Sequence, residues 1–180
     1  MVDKNYILKY ITFMNSFTKT VAYSGINVAL LIISAFISIP TTPPITLQLL
    51  MVLIICGLYN FKVSFLSVAI YILLGIVGLP IFSGFNSGIV TPTGGFIIGF
   101  IFFPFTKLIF LKLKNNLTLP LAFLTGLTLL YIIGFIWLGY FLKDYNLALK
   151  SSLIFLPLDL LKCYVAIKIV YLLKKLNIFN

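Results

Sequence analysis

Six apolar stretches of roughly 15 to 25 residues make up most of this chain and constrain its fold more than any other feature. One helical crossing of a bilayer needs about 20 mostly apolar residues, so 180 residues accommodate six crossings with short connections. Only 9% of the residues are charged, against about a quarter in soluble domains. We therefore expect an all-α membrane protein with six transmembrane helices in a single domain over residues 1–180. The stretches are Val21–Ile39, Ile45–Tyr59, Val63–Leu79, Gly94–Leu111, Leu117–Phe141 and Leu153–Leu173.

Lysines are concentrated on one side of this six-helix arrangement. The connections Thr41–Pro44 and Pro80–Thr93 carry no charge, and Lys143–Lys150 carries two lysines and one aspartate. Because lysine-rich segments stay in the cytoplasm, we expect both termini there, in a multi-pass protein of the cell membrane. Met1–Lys19 lacks a compact apolar region followed by a small-residue cleavage site, so we expect no cleaved signal. The lysines of the cytoplasmic side are Lys4, Lys9, Lys19, Lys62, Lys112, Lys114, Lys174 and Lys175.

Composition excludes several classes of function. The net charge is +10, but all 13 basic residues are lysines, and arginine, which reads guanine edges and clamps phosphates, is missing. We expect no nucleic-acid partner. The chain has no His and no Glu, and Cys56 and Cys163 lie in separate apolar stretches, where cysteines are usually small buried hydrophobes. The lack of His and Glu argues against a metal site, and the chain has no G-x-x-x-x-G-K-[ST] loop for nucleotides. We therefore expect neither a cofactor nor a metal.

The two uncharged connections on the outer side have unusual contents. Ile39–Gln48 contains three prolines, which stiffen a backbone. Gly78–Gly95 combines glycines, which allow close backbone approach, with Ser, Asn and Thr side chains that supply neutral donors and acceptors. These segments are either ordinary turns at the membrane surface or a pair of loops that fold over a neutral polar ligand from outside.

Asp159 is the one acidic residue in a strongly apolar setting. A lone charge at the bilayer centre costs at least about 2.5–3.5 kcal/mol, and Lys162, three residues later, shares its helix face and can neutralise it. Pro157 fits the first turn of this last helix, where its missing N–H costs little. The pair either locks the helix against its neighbours or binds a ligand, since ionisable groups within a membrane usually mark a substrate or ion path.

These segments together resemble the BioY family, the biotin-specific substrate-binding subunits of energy-coupling-factor (ECF) transporters. Single pieces such as Pro-Thr-Gly-Gly are weak signals, but the pieces in this order and spacing are highly specific. The matching residues are Ile39-Pro40, Pro44–Gln48, Tyr71–Gly84, Pro92–Phe100, Gly134, Trp137 and Leu156–Lys162.

The resemblance implies an ECF S-component-like bundle with cytoplasmic termini and an outward-facing biotin site closed by the two outer connections. The family's Asp-x-x-Lys pair corresponds to Asp159 and Lys162, and the family usually has Tyr where Phe96 stands. A small-residue motif that packs on the membrane partner is represented on the first helix by Gly25 and Ala29. In the outer connections, the resemblance maps the family's loop polar residues onto Gln48 and Asn86, and we take Phe82 and Gly84 as further candidate ligand residues.

We expect no chemistry on the ligand and therefore no enzyme. Asp159 can accept from the ureido N–H groups of biotin while Lys162 donates to the ureido carbonyl, or Lys162 can bind the valerate carboxylate instead. Phe82, Phe85 and Trp137 either contact the rings of biotin or simply pack in the membrane. The partners implied are biotin, the lipid bilayer, a transmembrane coupling (T) subunit and two ATPase (A) subunits.

Three alternatives stay open. The same fold could bind a different vitamin, because an Asp–Lys pair alone does not identify biotin. A stand-alone small-solute facilitator would line a pore with polar residues along one helix, whereas the polar residues here cluster near the outer face. A membrane enzyme would need a wider acid–base range than one Asp and one Lys provide.

Overall fold

The computed structural model describes residues 4–39, 41, 44–113 and 115–176, with side chains from residue 16 onward. Two short helices, Gly94–Gly99 and Phe102–Phe110, continue into a 3₁₀ turn, Leu111–Leu113, and together form one segment. Counted in this way, the described residues form six helical segments. The predicted all-α fold is confirmed. The helices are α1 (Lys4–Phe36), α2 (Gln48–Leu58), α3 (Phe61–Ile76), α4 (Gly94–Gly99), α5 (Phe102–Phe110), α6 (Thr118–Leu142) and α7 (Tyr145–Lys175).

Three of these segments are long and apolar enough to cross a membrane: Ser16–Phe36, Gly94–Leu113 and Thr118–Leu142. Helices α2 and α3 are apolar but shorter, with 11 and 16 residues. Helix α7 has sufficient length, at 31 residues, but is interrupted by charged side chains. The chain is an integral membrane protein. Among the lysines used for the orientation, the side chains of Lys4 and Lys9 and the whole of Lys114 lie outside the described residues.

The last helix begins eight residues earlier than the sequence predicted, and the expected loop at Lys143–Lys150 was wrong. Lys143 adopts a left-handed conformation, with φ 55°, and ends α6. Asp144 then caps α7, because its side chain accepts a hydrogen bond from the Leu147 N–H at 3.0 Å. Such a cap satisfies an N–H that has no partner within the helix, so a two-residue turn suffices between α6 and α7.

Pro157 consequently lies near the middle of α7, and its predicted place in the first turn was wrong. A proline inside a helix cannot donate to the carbonyl four residues earlier, here that of Leu153. The backbone of α7 is therefore short of one hydrogen bond just before Asp159.

The first outer connection contains a small hairpin that the sequence did not predict. Strands β1 (Ser38–Ile39) and β2 (Ile45–Thr46) pair antiparallel, with Ser38 opposite Thr46. Helix α2 therefore begins only at Gln48, three residues later than expected. The hairpin holds Thr46 and Gln48 beside the helices of the bundle. Pro40, Thr42 and Pro43 lie outside the described residues.

The second outer connection is anchored on α3. The ring of Phe82 lies so close to Gly75 that a Cβ there would come within 2.0 Å of a ring carbon. The Gly88 N–H donates to the Gly75 carbonyl at 2.7 Å. Between these two contacts the chain makes one 3₁₀ turn, Ser83–Phe85, in which Gly84 has φ 70°. The ends of the connection are thus fixed, and residues 83–87 form its tip.

Helix α6 is the centre of the bundle, with α4, α5 and α7 packed against it. The close approach of these helices depends on glycine. A Cβ at Gly126 would come within 2.5 Å of the Phe103 ring, and a Cβ at Gly134 would come within 2.4 Å of the Phe96 ring. Small residues are the usual means of close helix contact in membranes. Helix α7 also packs on α2, so α2, α4, α6 and α7 surround one space below the outer connections.

Candidate ligand-binding site

A cavity lies where α2, α4, α6 and α7 meet the ends of the two outer connections. Its wall combines aromatic and aliphatic groups with a few polar ones, as is typical of small-molecule sites. The apolar wall residues are Pro44, Ile45, Leu49, Phe96, Ile97, Phe100, Leu130 and Phe155. The polar wall residues are Thr46, Gln48, Ser83, Thr93, Tyr131, Ser152, Asp159 and Lys162.

The ion pair of α7 is part of the wall of this cavity. Lys162 Nζ donates to Asp159 Oδ1 at 2.7 Å, and the side chains are 15% and 13% exposed. Tyr131 of α6 donates its hydroxyl to the other oxygen, Oδ2, at 2.9 Å. Each carboxylate oxygen retains a second acceptor position, and the ammonium retains two further N–H groups. This part of the cavity wall can therefore both accept hydrogen bonds from a ligand and donate them to it.

Gln48 is held by a chain of hydrogen bonds that joins the two outer connections. Thr46 Oγ1 donates to Gln48 Oε1 at 3.1 Å, and Gln48 Nε2 donates to the Tyr71 hydroxyl. Tyr71, fully buried on α3, donates in turn to the Ile81 carbonyl at 3.3 Å. The amide of Gln48 is thus oriented by residues of both connections and still has one N–H and one lone pair for a ligand.

Aromatic rings form the wall beside the ion pair. Phe96 of α4 meets Tyr131 edge to face, with ring centroids 6.0 Å apart and planes at 85°. This geometry is the favourable one for aromatic pairs, and it holds the Tyr131 ring in the position from which its hydroxyl reaches Asp159. Among the described residues, no group of three or more His, Cys, Asp or Glu side chains could hold a metal ion.

The sequence profile of the BioY family matches residues 5–178. The chain belongs to the BioY family. A relative from Thermotoga maritima, named biotin transporter BioY, is 37% identical over 161 residues, which cover 86% of this chain and 95% of the relative. A biotin transporter BioY from Lactococcus lactis is 33% identical over an alignment that covers 89% of this chain and 93% of the relative.

The fold matches a solved structure described as the S-component for biotin from an ECF-type ABC transporter. The TM-score is 0.78 at 32% identity, and the match covers 89% of this chain and 93% of the other. The BioY resemblance and the S-component fold predicted from the motifs are confirmed. These relatives are named as transporters rather than enzymes, which agrees with the prediction of a non-enzymatic subunit.

Three of the six candidate ligand residues line the cavity. These three are Gln48, Asp159 and Lys162. Phe82, Gly84 and Asn86 do not line it. Phe82 is buried against Tyr71, with ring centroids 5.4 Å apart, and the Asn86 amide donates to the Ser83 carbonyl at 2.8 Å. A direct role of these three residues in ligand binding stays a prediction.

Two further aromatic candidates of this BioY chain lie away from the cavity. Trp137 donates its ring N–H to the Thr91 carbonyl at 2.8 Å and packs on Gly95, where a Cβ would come within 2.3 Å. Its role in the structure is to hold the second outer connection against α6. Phe85 is largely exposed and pairs with Phe36, with centroids 4.7 Å apart.

On the helices, sequence reasoning missed two hydroxyl residues of the site, Tyr131 and Ser152. Tyr131 is one tyrosine within an apolar run, and no local pattern marks the face it occupies. Ser152 lies seven residues before Asp159, a spacing that places two helical residues on the same face. With α7 extended to its true start, that spacing would have identified Ser152.

Proposed function

We propose that this chain is the biotin-capture subunit of an ECF-type vitamin importer, binding biotin from the outer face of the cell membrane. The observation that carries the proposal is the Asp159–Lys162 pair, joined by Tyr131, in the wall of a cavity that is also lined by aromatic rings. Membership in a family whose relatives are named biotin transporters supports the same ligand.

The chemistry of the pair matches biotin. A ureido group offers two N–H donors and one carbonyl, and the valerate ends in a carboxylate. Asp159 accepts from the ureido N–H groups and Lys162 donates to the carbonyl in one arrangement, whereas Lys162 binds the valerate in the other. The rings of Phe96, Phe100 and Phe155 line the cavity for the apolar part of the ligand.

Energy for uptake comes from partners in this proposal, a transmembrane coupling (T) subunit and two ATPase (A) subunits. The sequence contains no phosphate-binding loop of the G-x-x-x-x-G-K-[ST] type. The small residues Gly25 and Ala29 lie on an exposed face of α1, and the space beside Gly25 is open. Small exposed residues allow a partner helix to approach closely in a membrane, which supports docking of the coupling subunit on this face.

The decisive experiment is a thermal-shift screen of vitamins on the purified chain in detergent. Biotin should raise the melting temperature with the logarithm of its concentration above the Kd, because a ligand present at 100 times its Kd adds about 2.7 kcal/mol to the free energy of unfolding. ATP should have no effect and no hydrolysis should be detected. A shift with another vitamin and none with biotin would overturn the proposal.

The proposed single domain crosses the membrane six times with both termini in the cytoplasm, and labelling intact cells with an impermeant thiol reagent tests this orientation. A cysteine placed at Ser87, at the exposed tip of the second outer connection, should react. One placed next to Lys4 or Lys175 should not. The native Cys56 and Cys163 are buried, so they give little background. Labelling near either terminus would refute the orientation.

A further inference from the structure

Ser152 has an unexplained hydroxyl. The residue is 3% exposed, and its Oγ is the one buried side-chain polar atom without a hydrogen-bond partner among the described residues. Buried polar groups in proteins nearly always have a partner, and an exception calls for an explanation.

Other helical hydroxyls of this chain show that the lack of a partner is not imposed by the helix. Ser67 donates to the Val63 carbonyl at 2.7 Å, and Thr125 donates to the Leu121 carbonyl at 2.8 Å. A serine in a helix can bond to the carbonyl four residues earlier in this way. Ser152 makes no such bond and lines the cavity instead.

The position of Ser152 relates it to the ion pair. It precedes Asp159 by seven residues on the same face of α7, with Phe155 between them on the cavity wall. Seven residues of helix span about 10 Å. The wall of α7 therefore presents an unpaired hydroxyl, an aromatic ring and a charged pair in that order along its length.

We propose that Ser152 is a ligand-binding residue, whose hydroxyl contacts the polar group at the opposite end of the ligand from the group held by Asp159 and Lys162. This inference rests on the proposed function. It assigns to the site a second polar contact for a ligand with polar groups at both ends and an apolar part between them, as in biotin. The hydroxyl can donate to a carboxylate or carbonyl and can accept from an N–H.

The first test measures biotin affinity by calorimetry and the melting temperature of the ligand-free protein. Ser152→Ala should weaken biotin binding about 3- to 10-fold, the range for one net hydrogen bond. It should not lower the melting temperature, because it removes a group that has no partner. The control is Ser34→Ala in α1, which removes a buried hydroxyl that donates to the Leu31 carbonyl at 2.7 Å, away from the cavity. That variant should melt at a lower temperature and bind biotin normally.

The second test assigns the two ends. An analogue whose side chain ends in a methyl group lacks the carboxylate, and biotin methylated on both ureido nitrogens lacks the N–H donors. The affinity loss caused by Ser152→Ala should disappear with one analogue, and the loss caused by Asp159→Asn should disappear with the other. Any other pattern overturns the assignment of opposite ends.

The outcomes separate this inference from the proposed function. If the native chain binds biotin and Ser152→Ala binds it equally well, Ser152 is not a ligand residue and the proposed function is unaffected. If the native chain does not bind biotin, the proposed function fails first.

Discussion

Replacing Asp159 by asparagine should weaken biotin binding roughly 30-fold. The carboxylate accepts hydrogen bonds from Lys162 and Tyr131, and the amide keeps its shape while removing the charge and half of the acceptor capacity. Truncating one partner of a buried charged pair costs about 2–5 kcal/mol, largely because the other charge is left unpaired. Both side chains retain some exposure, 15% for Lys162 and 13% for Asp159, so water compensates in part and the lower end of that range applies. At about 1.4 kcal/mol per tenfold, 2 kcal/mol corresponds to roughly 30-fold.

The measurement is isothermal calorimetry on the folded fraction of each variant. Asp144→Asn is the matched control, because it removes the same charge from the start of the same helix, outside the cavity, where asparagine caps equally well. Lys162→Met should be about as harmful as Asp159→Asn. The double variant should lose less than the sum of the two, since the residues share one network.

A purely structural ion pair predicts a different result. The single variants would then be less stable, but their folded fraction would bind biotin with unchanged affinity. That outcome in both variants would refute the argument and move the site towards Gln48 and the outer connections.

Two further predictions follow from single contacts. Tyr131→Phe should lower biotin affinity about tenfold in calorimetry, because the phenol is one of two partners of Asp159 and hydrogen bonds to charged groups contribute about 1.5–3 kcal/mol. Unchanged affinity would show that this hydrogen bond does not contribute to ligand binding. Gly75→Ala should destabilise the protein by about 1–3 kcal/mol, seen as a lower melting temperature, because the new Cβ would meet the Phe82 ring at 2.0 Å. Gly25→Ala, with nothing within 4 Å, is its control, and equal melting temperatures would contradict the packing argument.

The helices of this protein could be predicted because apolar runs leave the backbone no alternative in a membrane, where N–H and C=O groups must bond within their own segment. Their ends could not be predicted as well. Lysines and Asp144 made residues 143–150 resemble a loop, although Asp144 caps a helix that begins at Tyr145. The hairpin was missed because strands of two residues carry no periodic signal.

In the candidate site, contacts within one helix could be predicted from the sequence, whereas contacts between helices could not. The pairing of Asp159 with Lys162 could be predicted, because opposite charges three residues apart on an apolar helix neutralise each other whatever the tertiary structure. Tyr131 was not, because its contact with Asp159 depends on how α6 is rotated against α7. That rotation depends on packing such as the Tyr145 ring of α7 on Gly139 of α6, which the sequence does not reveal without the bundle.

Pro157 stands between the two polar ends of the cavity wall, five residues after Ser152 and two before Asp159. Because the carbonyl of Leu153 already lacks its helical donor, α7 can flex at this point without breaking a further backbone hydrogen bond, as helices commonly do at proline. Spin labels on either side of Pro157 would report the motion, and a distance unchanged by biotin would rule it out. We therefore expect the part of α7 that carries Ser152 to tilt relative to the part that carries Asp159, so that the distance between these two polar residues adjusts to the length of the ligand.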